Sequence, residues 1–403
     1  MPITAIIAPN SYPIPPIRGG GIQTVISEVT PYFKEFKPYI FSNCEFGIDK
    51  LPSRETDGNI EHRRICLSSW SELKTRIRYF TTKNYFPYVF EIIKQIKEIK
   101  PDIVHVMNRP WFLPILRKYL NINSKMILHH HNLYFSEMNE GKVRGYLNLF
   151  DAFAGISRYT VDKEIVSRFP FEAEKCFTIY NGINLNKFKL KWLNMEKRNE
   201  IRGKFNIAED EIVLVFAGRL RKEKGAHTLL KAANKIISVN NKVKIMIVGS
   251  HFYMGSDKMT PYIESLGKLA APIIDNVIFT GFIPPSQMPD IYAASDILVV
   301  PSHTEAFGLT YAEAGACGLP VIGTKVGGIP EVVDNGTTGF LMNDPENDEE
   351  LAHQIKYFIN NPDKMKVFGE SGRKRVEKHF SAQASAAATE EMYKKVMTFP
   401  NRS

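Results

Sequence analysis

The sequence predicts an α/β protein built as two doubly wound, Rossmann-like domains, and three observations carry that reading. Short apolar runs alternate with longer segments of helical period, as a parallel sheet covered on both faces requires. The length of 403 residues leaves room for two or three domains at roughly 150 residues each. One polar stretch between Asn181 and Asp210, containing KFKLKWLNMEKRNE, interrupts the alternation and marks the expected join.

In chain order, the first half offers strands at 3–8, 39–41, 103–107, 125–129 and 152–156, with an amphipathic helix at 87–99. The second half offers strands at 212–217, 244–248, 277–280, 297–300 and 321–324. Helices at 226–239, 351–359, 363–379 and 383–396 fill the spaces between and after them. No fixed-period repeat or low-complexity tract is present.

Composition narrows the class. With 44% apolar and 24% charged residues, 26 Gly, 24 Pro and 4 Cys, the chain is neither disordered, collagen-like nor a disulfide knot. Cys44, Cys66, Cys176 and Cys317 form no CxxC pair, so reduced thiols and a cytoplasmic location are expected. The start, MPITAIIAPNSYPIPP, lacks a basic n-region and reads as a first strand rather than a signal peptide. No apolar run approaches the ~20 residues of a membrane span. Any membrane contact is therefore expected to be peripheral, at the inner face.

In doubly wound sheets, ligands bind beyond the carboxyl ends of the strands, so the strand-to-helix loops hold the candidates. After the first strand comes Arg18-Gly19-Gly20-Gly21, where a backbone can approach a ligand closely, or simply turn. It is not GxGxxG, which disfavours a dinucleotide. After 212–217 comes Gly218-Arg219-Leu220-Arg221-Lys222-Glu223-Lys224-Gly225. Cations crowded against a helix N-terminus suit a phosphate, or else a solvated turn. After 297–300, Glu305 lies in a loop and Glu313 sits one turn into a helix of small residues. A carboxylate in that setting needs hydrogen-bond donors, and vicinal sugar hydroxyls supply them.

These residues also carry a resemblance. The run EAFGLTYAE, with its acids eight apart, resembles the E-x7-E signature of retaining nucleotide-sugar glycosyltransferases of the GT-B fold. GRLRKEKG, IYNGINLNKF at 179–188 and GLPVIGTKVGGIPEVV at 318–333 are similar to further motifs of that family, in the same order. The resemblance implies two domains facing across a cleft, 1–182 receiving the acceptor and 183–381 the donor, with 382–403 crossing back to the first.

It also implies roles. Arg219 and Lys224 would hold the donor diphosphate, Glu313 the ribose hydroxyls and Glu305 the transferred sugar. Backbone N–H groups of Phe307, Gly308 and Leu309 would meet sugar and phosphate oxygens, and Gly20 and Gly21 would close over the donor. His131 aligns with the family's histidine near the reacting sugar, with His130 and His129 as alternative registers. Three adjacent histidines on a strand alternate faces and do not easily share one metal ion. No Asp-x-Asp is present, so no metal is expected at the diphosphate. No cofactor is expected either, because the nucleotide sugar is a substrate. The implied reaction is front-face transfer with retention, from a uridine donor by preference. The loop 251–257 departs from the family's short glycine turn where the base would sit.

The net charge of +9 concerns the acceptor. Residues 1–200 hold 29 Lys and Arg against 20 Asp and Glu, whereas 201–403 hold 23 of each, so the whole excess lies in the first half. The stretch 62–83 has Arg63, Arg64, Lys74, Arg76, Arg78 and Lys83 against Glu72, interleaved with Trp70, Tyr79 and Phe80. It fits an anionic membrane or lipid-linked acceptor, a soluble anionic acceptor, or a solvated face. Nucleic acid is not expected, for want of a reading helix or stacking sheet. Two other functions stay open: a nucleotide-sugar 2-epimerase, which the resemblance implies would share the fold and the donor, and a non-catalytic sugar-nucleotide-binding or surface-assembly protein that keeps the motifs.

Overall fold

The computed structural model describes residues 1–16, 20–44, 51–66, 86–120, 123–193, 195–250 and 259–400. The chain divides into two compact units, Met1–Gly182 with Ala382–Ser403, and Ile183–Ser381. Each holds one twisted sheet with helices on both faces, the α/β class expected.

In the first unit the strands are β1 (Ile3–Ile7), β2 (Lys37–Asn43), β3 (Arg54–Asp57), β4 (Ile60–Ile65), β5 (Ile103–Met107), β6 (Lys125–His130), β7 (Ala152–Gly155) and β8 (Cys176–Thr178). Their order is β3-β4-β2-β1-β5-β6-β7-β8. All pairs are parallel except the edge pair β3 and β4. The helix Phe86–Ile99 places Tyr88, Val89, Ile92, Ile93 and Ile96 on one buried stripe. Each such side chain contributes about 1.5–3 kcal/mol of burial, packing on Val104, Val106 and Leu128 in a single core.

The final helix, Ala382–Met397, belongs to this first unit. Its Glu390 carboxylate accepts hydrogen bonds from the N–H groups of Lys34, Glu35 and Phe36 at 2.7–3.1 Å. Its Tyr393 hydroxyl meets His105 Nδ1 at 2.6 Å. Removing that helix would therefore strip buried partners from the sheet, not merely shorten the chain.

The second unit has β9 (Ile212–Ala217), β10 (Val243–Val248), β11 (Val277–Gly281), β12 (Ile297–Val299), β13 (Val321–Thr324) and β14 (Gly339–Met342), in the order β11-β10-β9-β12-β13-β14. Every pair is parallel. The winding reverses between β9 and β12, and the crevice beyond their carboxyl ends is where such sheets bind ligands.

The expectation of four reduced cysteines is corrected. Cys44 and Cys66 form a disulfide with their Cα atoms 4.9 Å apart, leaving Cys176 and Cys317 as thiols. The reason is register: β2 and β4 are parallel neighbours with Asn43 opposite Ile65, so the next residue on each strand comes side by side. Linear spacing conceals this. Denatured, unreduced protein is expected to take up two equivalents of an alkylating agent, and four after reduction, by intact mass. Four equivalents before reduction would contradict the pairing.

Among the described residues, no helix is long and apolar enough to cross a membrane.

Candidate active site

At the reversal point of the second sheet, β9 runs into the turn 218–225 and β12 into the loop 301–308. Gly225 lets the two meet. It has φ 78°, and a Cβ there would stand 2.1 Å from the carbonyl oxygen of Pro301. That close approach brings Lys224 Nζ to 2.6 Å from Glu305 Oε2, an ion pair between residues 81 apart in sequence. The two side chains keep 16% and 24% of their exposure, so a ligand's oxygens can reach both. Arg219 lies in the same turn, partly buried, next to Leu220, whose N–H donates to Ser250 O at 3.0 Å.

The Glu305 loop is fixed from its far side. Gly327, at φ 57°, passes so close that a Cβ would lie 1.8 Å from Glu305 O, and Gly328 N–H donates to that oxygen at 3.0 Å. Phe307 is buried, its ring edge-on to Phe380 at 5.6 Å. Gly308 precedes the helix Leu309–Ala316 in a left-handed conformation, and Leu309 is the first helical residue. The opening N–H groups of a helix lie outside its own ladder and face an incoming anion.

Glu313 stands one turn into that helix, among Tyr311, Ala312, Ala314, Gly315 and Ala316, all buried. The Tyr292 hydroxyl donates to Glu313 Oε2 at 2.9 Å. Burial pushes the Glu313 carboxyl up to about 7, while the Tyr292 hydrogen bond pulls it down. This acid is therefore poised between neutral and ionised states near neutral pH, and further donors would favour its ionised form. Tyr292 carries no signal in the sequence that would pair it with Glu313.

In the first unit, the three histidines separate as strand alternation dictates. His130 turns to one face, paired with buried Glu164 and stacked edge-on against Phe135 and Phe153. His129 and His131 share the other face, with ring centroids 4.7 Å apart. His129 Nδ1 lies 3.2 Å from His105 Nε2, and His105 in turn meets Tyr393. His131 follows the last strand residue, its N–H donating to Asn108 Oδ1 at 3.0 Å and its Nε2 buried without a hydrogen-bond partner. Burial first, then the neighbouring His105 and His130, push His131 down to about 3. It is a neutral ring, suited to hydrogen bonding rather than to supplying charge. The His130 register is thus taken up by Glu164.

Gly20 and Gly21 stand at the start of the helix Gly21–Val29, Gly20 with φ 124°. Arg18, Gly19, the part of the basic-aromatic stretch from 67 to 83, and the loop 251–257 lie outside the described residues. Within that stretch, Arg64 is corrected: it is 2% exposed and spent on Ile14 O, Pro52 O and Glu55, so it offers no charge to a surface. Asn108, with φ 56°, and the His105–Tyr393 pair were not singled out by sequence. Their apolar strand context reads as plain core.

Comparison with known proteins gives a consistent set. A model described as glycosyl transferases group 1 matches residues 197–375, and one described as glycosyltransferase family 4 matches residues 20–187. Spore coat protein SA of Bacillus subtilis is 30% identical over 97% of this chain and 99% of its own. The putative glycosyltransferase YtcC of the same organism is 28% identical over 99% of this chain and 93% of its own. Among solved structures, a glycosyltransferase of Rickettsia africae superposes with TM-score 0.76 at 22% identity, covering 99% of both chains. Anabaena HepE in complex with UDP and glucose gives 0.72 at 21%, covering 98% of this chain and 99% of its own.

Proposed function

The chain belongs to the glycosyl transferases group 1 family, and from that premise we propose that it moves a hexose or N-acetylhexosamine from a UDP-sugar to an acceptor hydroxyl with retention. The observation that carries the reading is the Lys224–Glu305 pair at the reversal point of the second sheet. Lys224 and Arg219 face the diphosphate, Glu305 receives sugar hydroxyls and Glu313 the ribose. The bond from the anomeric carbon to the diphosphate breaks as that carbon bonds the acceptor oxygen. The departing phosphate oxygen takes the acceptor's proton. Fixed cations and the start of the helix Leu309–Ala316 stabilise the charge on the leaving group, without a metal ion at the diphosphate. The UDP in the HepE complex supports uridine as the base.

The first unit receives the acceptor, and neutral His131 hydrogen-bonds the reacting sugar. The basic excess of residues 1–200 supports an anionic acceptor. The spore-coat name of the Bacillus subtilis relative supports a surface glycoconjugate as the sugar's destination.

Product analysis by NMR tests the reaction. Incubation with UDP-sugars and phosphorylated or lipid-linked acceptors is expected to give a glycoside of the donor's own anomeric configuration, less of it at high salt, and less than a twofold gain from added Mg2+. An inverted glycoside, or a donor epimerised at C2 without acceptor, would overturn the proposal.

Glu313 gives the site a pH dependence with a definite sign. Its raised carboxyl is neutral below about 7 and ionised above, and ribose hydroxyls donate more strongly to the ionised form. UDP is therefore expected to bind more weakly at pH 6 than at pH 8, by up to about tenfold from this carboxyl, with Glu313→Gln reducing the difference. Calorimetry showing the same pH slope in that variant would contradict the ribose role.

A further inference from the structure

We infer that His227, His303 and Glu346 bind a divalent ion of the zinc class, clipping together three loops at the carboxyl ends of the second unit's strands. His227 opens the helix Ala226–Ile237 that follows β9, His303 follows β12, and Glu346 lies between β14 and the helix Asp348–Asn360. Although 119 residues separate the outermost pair, the candidate ligand atoms of all three lie within 4.8 Å of one another.

The geometry is more specific than proximity. His227 Nε2 stands 3.0 and 2.9 Å from the two carboxylate oxygens of Glu346. His303 Nε2 lies 3.3 Å from Glu346 Oε1 but makes no hydrogen bond with it or with any other described residue. The two imidazole planes are 27° apart, with ring centroids at 6.2 Å. A plain hydrogen-bonded pair needs one histidine. Here two nitrogens converge on one carboxylate, and the second has no hydrogen bond to account for its position.

The surroundings fit a metal as well. Tyr262 OH lies 3.0 Å from His227 Nδ1, holding the ring so that Nε2 faces the carboxylate. Such an outer partner on the far nitrogen is the usual companion of a metal-bound histidine. Two imidazoles and a carboxylate suit zinc and its neighbours, leaving a fourth position for water. Zinc bonds of about 2.0–2.1 Å set ligand spacings of roughly 3.4 Å, which turning the partly exposed His303 ring can reach. Lys231 Nζ, 4.0 Å from Glu346 Oε2 on an exposed side chain, is at the outer limit of an ion pair.

The inference does not depend on sugar transfer, because its test reads binding. Tag-free full-length protein, stripped with chelator and dialysed, is titrated with Zn2+ by calorimetry and with Co2+ by visible absorption. One equivalent of Zn2+ should bind, with a rise in melting temperature and the absorption bands of four-coordinate Co2+. His303→Ala and Glu346→Gln should each weaken Zn2+ binding at least tenfold, Tyr262→Phe about tenfold, and the exposed His353→Ala not at all. His303 is partly exposed, so its replacement leaves the core intact. Wild-type protein that takes up no Zn2+, or undiminished wild-type affinity in His303→Ala and Glu346→Gln, would overturn it.

Discussion

Lys224→Ala is expected to lower kcat/KM for sugar transfer by about 10³-fold or more, with the melting temperature nearly unchanged. That loss corresponds to about 4 kcal/mol of transition-state stabilisation. Negative charge grows on the diphosphate as the glycosidic bond breaks, and a preplaced cation stabilises it without reorganising at that moment. Lys224 is preplaced by the turn that Gly225 closes against Pro301, and by its 2.6 Å contact with Glu305. Stability should survive because Glu305 keeps about a quarter of its exposure and water can take over the lost contact. Arg219→Ala should lose activity in the same sense. Full activity in Lys224→Ala, measured by UDP release at matched fold, would remove the leaving-group role.

Asp296→Ala is expected to destabilise the second unit by about 3–5 kcal/mol, because it strands buried cations. Asp296 Oδ1 lies 3.2 Å from Lys191 Nζ and 2.8 Å from Arg198 Nη2, while Oδ2 lies 3.4 Å from Arg202 Nη1 and accepts from the Val213 N–H at 2.9 Å. Arg202 is 3% exposed and also donates to the Ala208 and Glu211 carbonyl oxygens. Burial pushes the Asp296 carboxyl up, but Lys191, Arg198, Val213 N–H and Arg202 together outweigh it and hold it below its ordinary value. The sign follows: this stabilisation is present above about pH 4, the ordinary carboxyl range, and is lost as pH falls through the lower folded value. Urea unfolding at pH 7 should show a clear drop in midpoint for Asp296→Ala. An unchanged midpoint would contradict the account of the network.

Much of the fold was legible because parallel strands buried on both faces are apolar throughout. Ile103–Met107, Ile212–Ala217 and Val321–Thr324 stand at the bounds the sequence indicates. Strands that break this rule were missed. β3 is RETD with every residue exposed, and β4 is IEHRRI, whose Arg64 is buried only because three oxygens surround its guanidinium. β8 and β14 are short strands at sheet edges, β8 only half-buried throughout and β14 opening on a glycine, so neither reads as a buried apolar run.

The candidate site was legible as motifs but not as contacts. Which loops carry Lys224, Glu305 and Glu313 follows from strand ends. That Lys224 reaches Glu305, or Tyr292 reaches Glu313, depends on strand order and on glycines with no room for a Cβ. The Cys44–Cys66 pair and the His227, His303, Glu346 cluster were hidden for the same reason, because register and loop convergence leave no trace in linear spacing.

Under the proposed function, the second unit holds a nucleoside diphosphate beside Lys224 and Glu305. Calorimetric titration of the full chain with UDP, ADP and GDP measures that binding. One of the three should bind at a single site, UDP by preference, and Lys224→Ala should weaken it about a hundredfold or more. Binding of none of them, or equal affinity in wild type and Lys224→Ala, would contradict it.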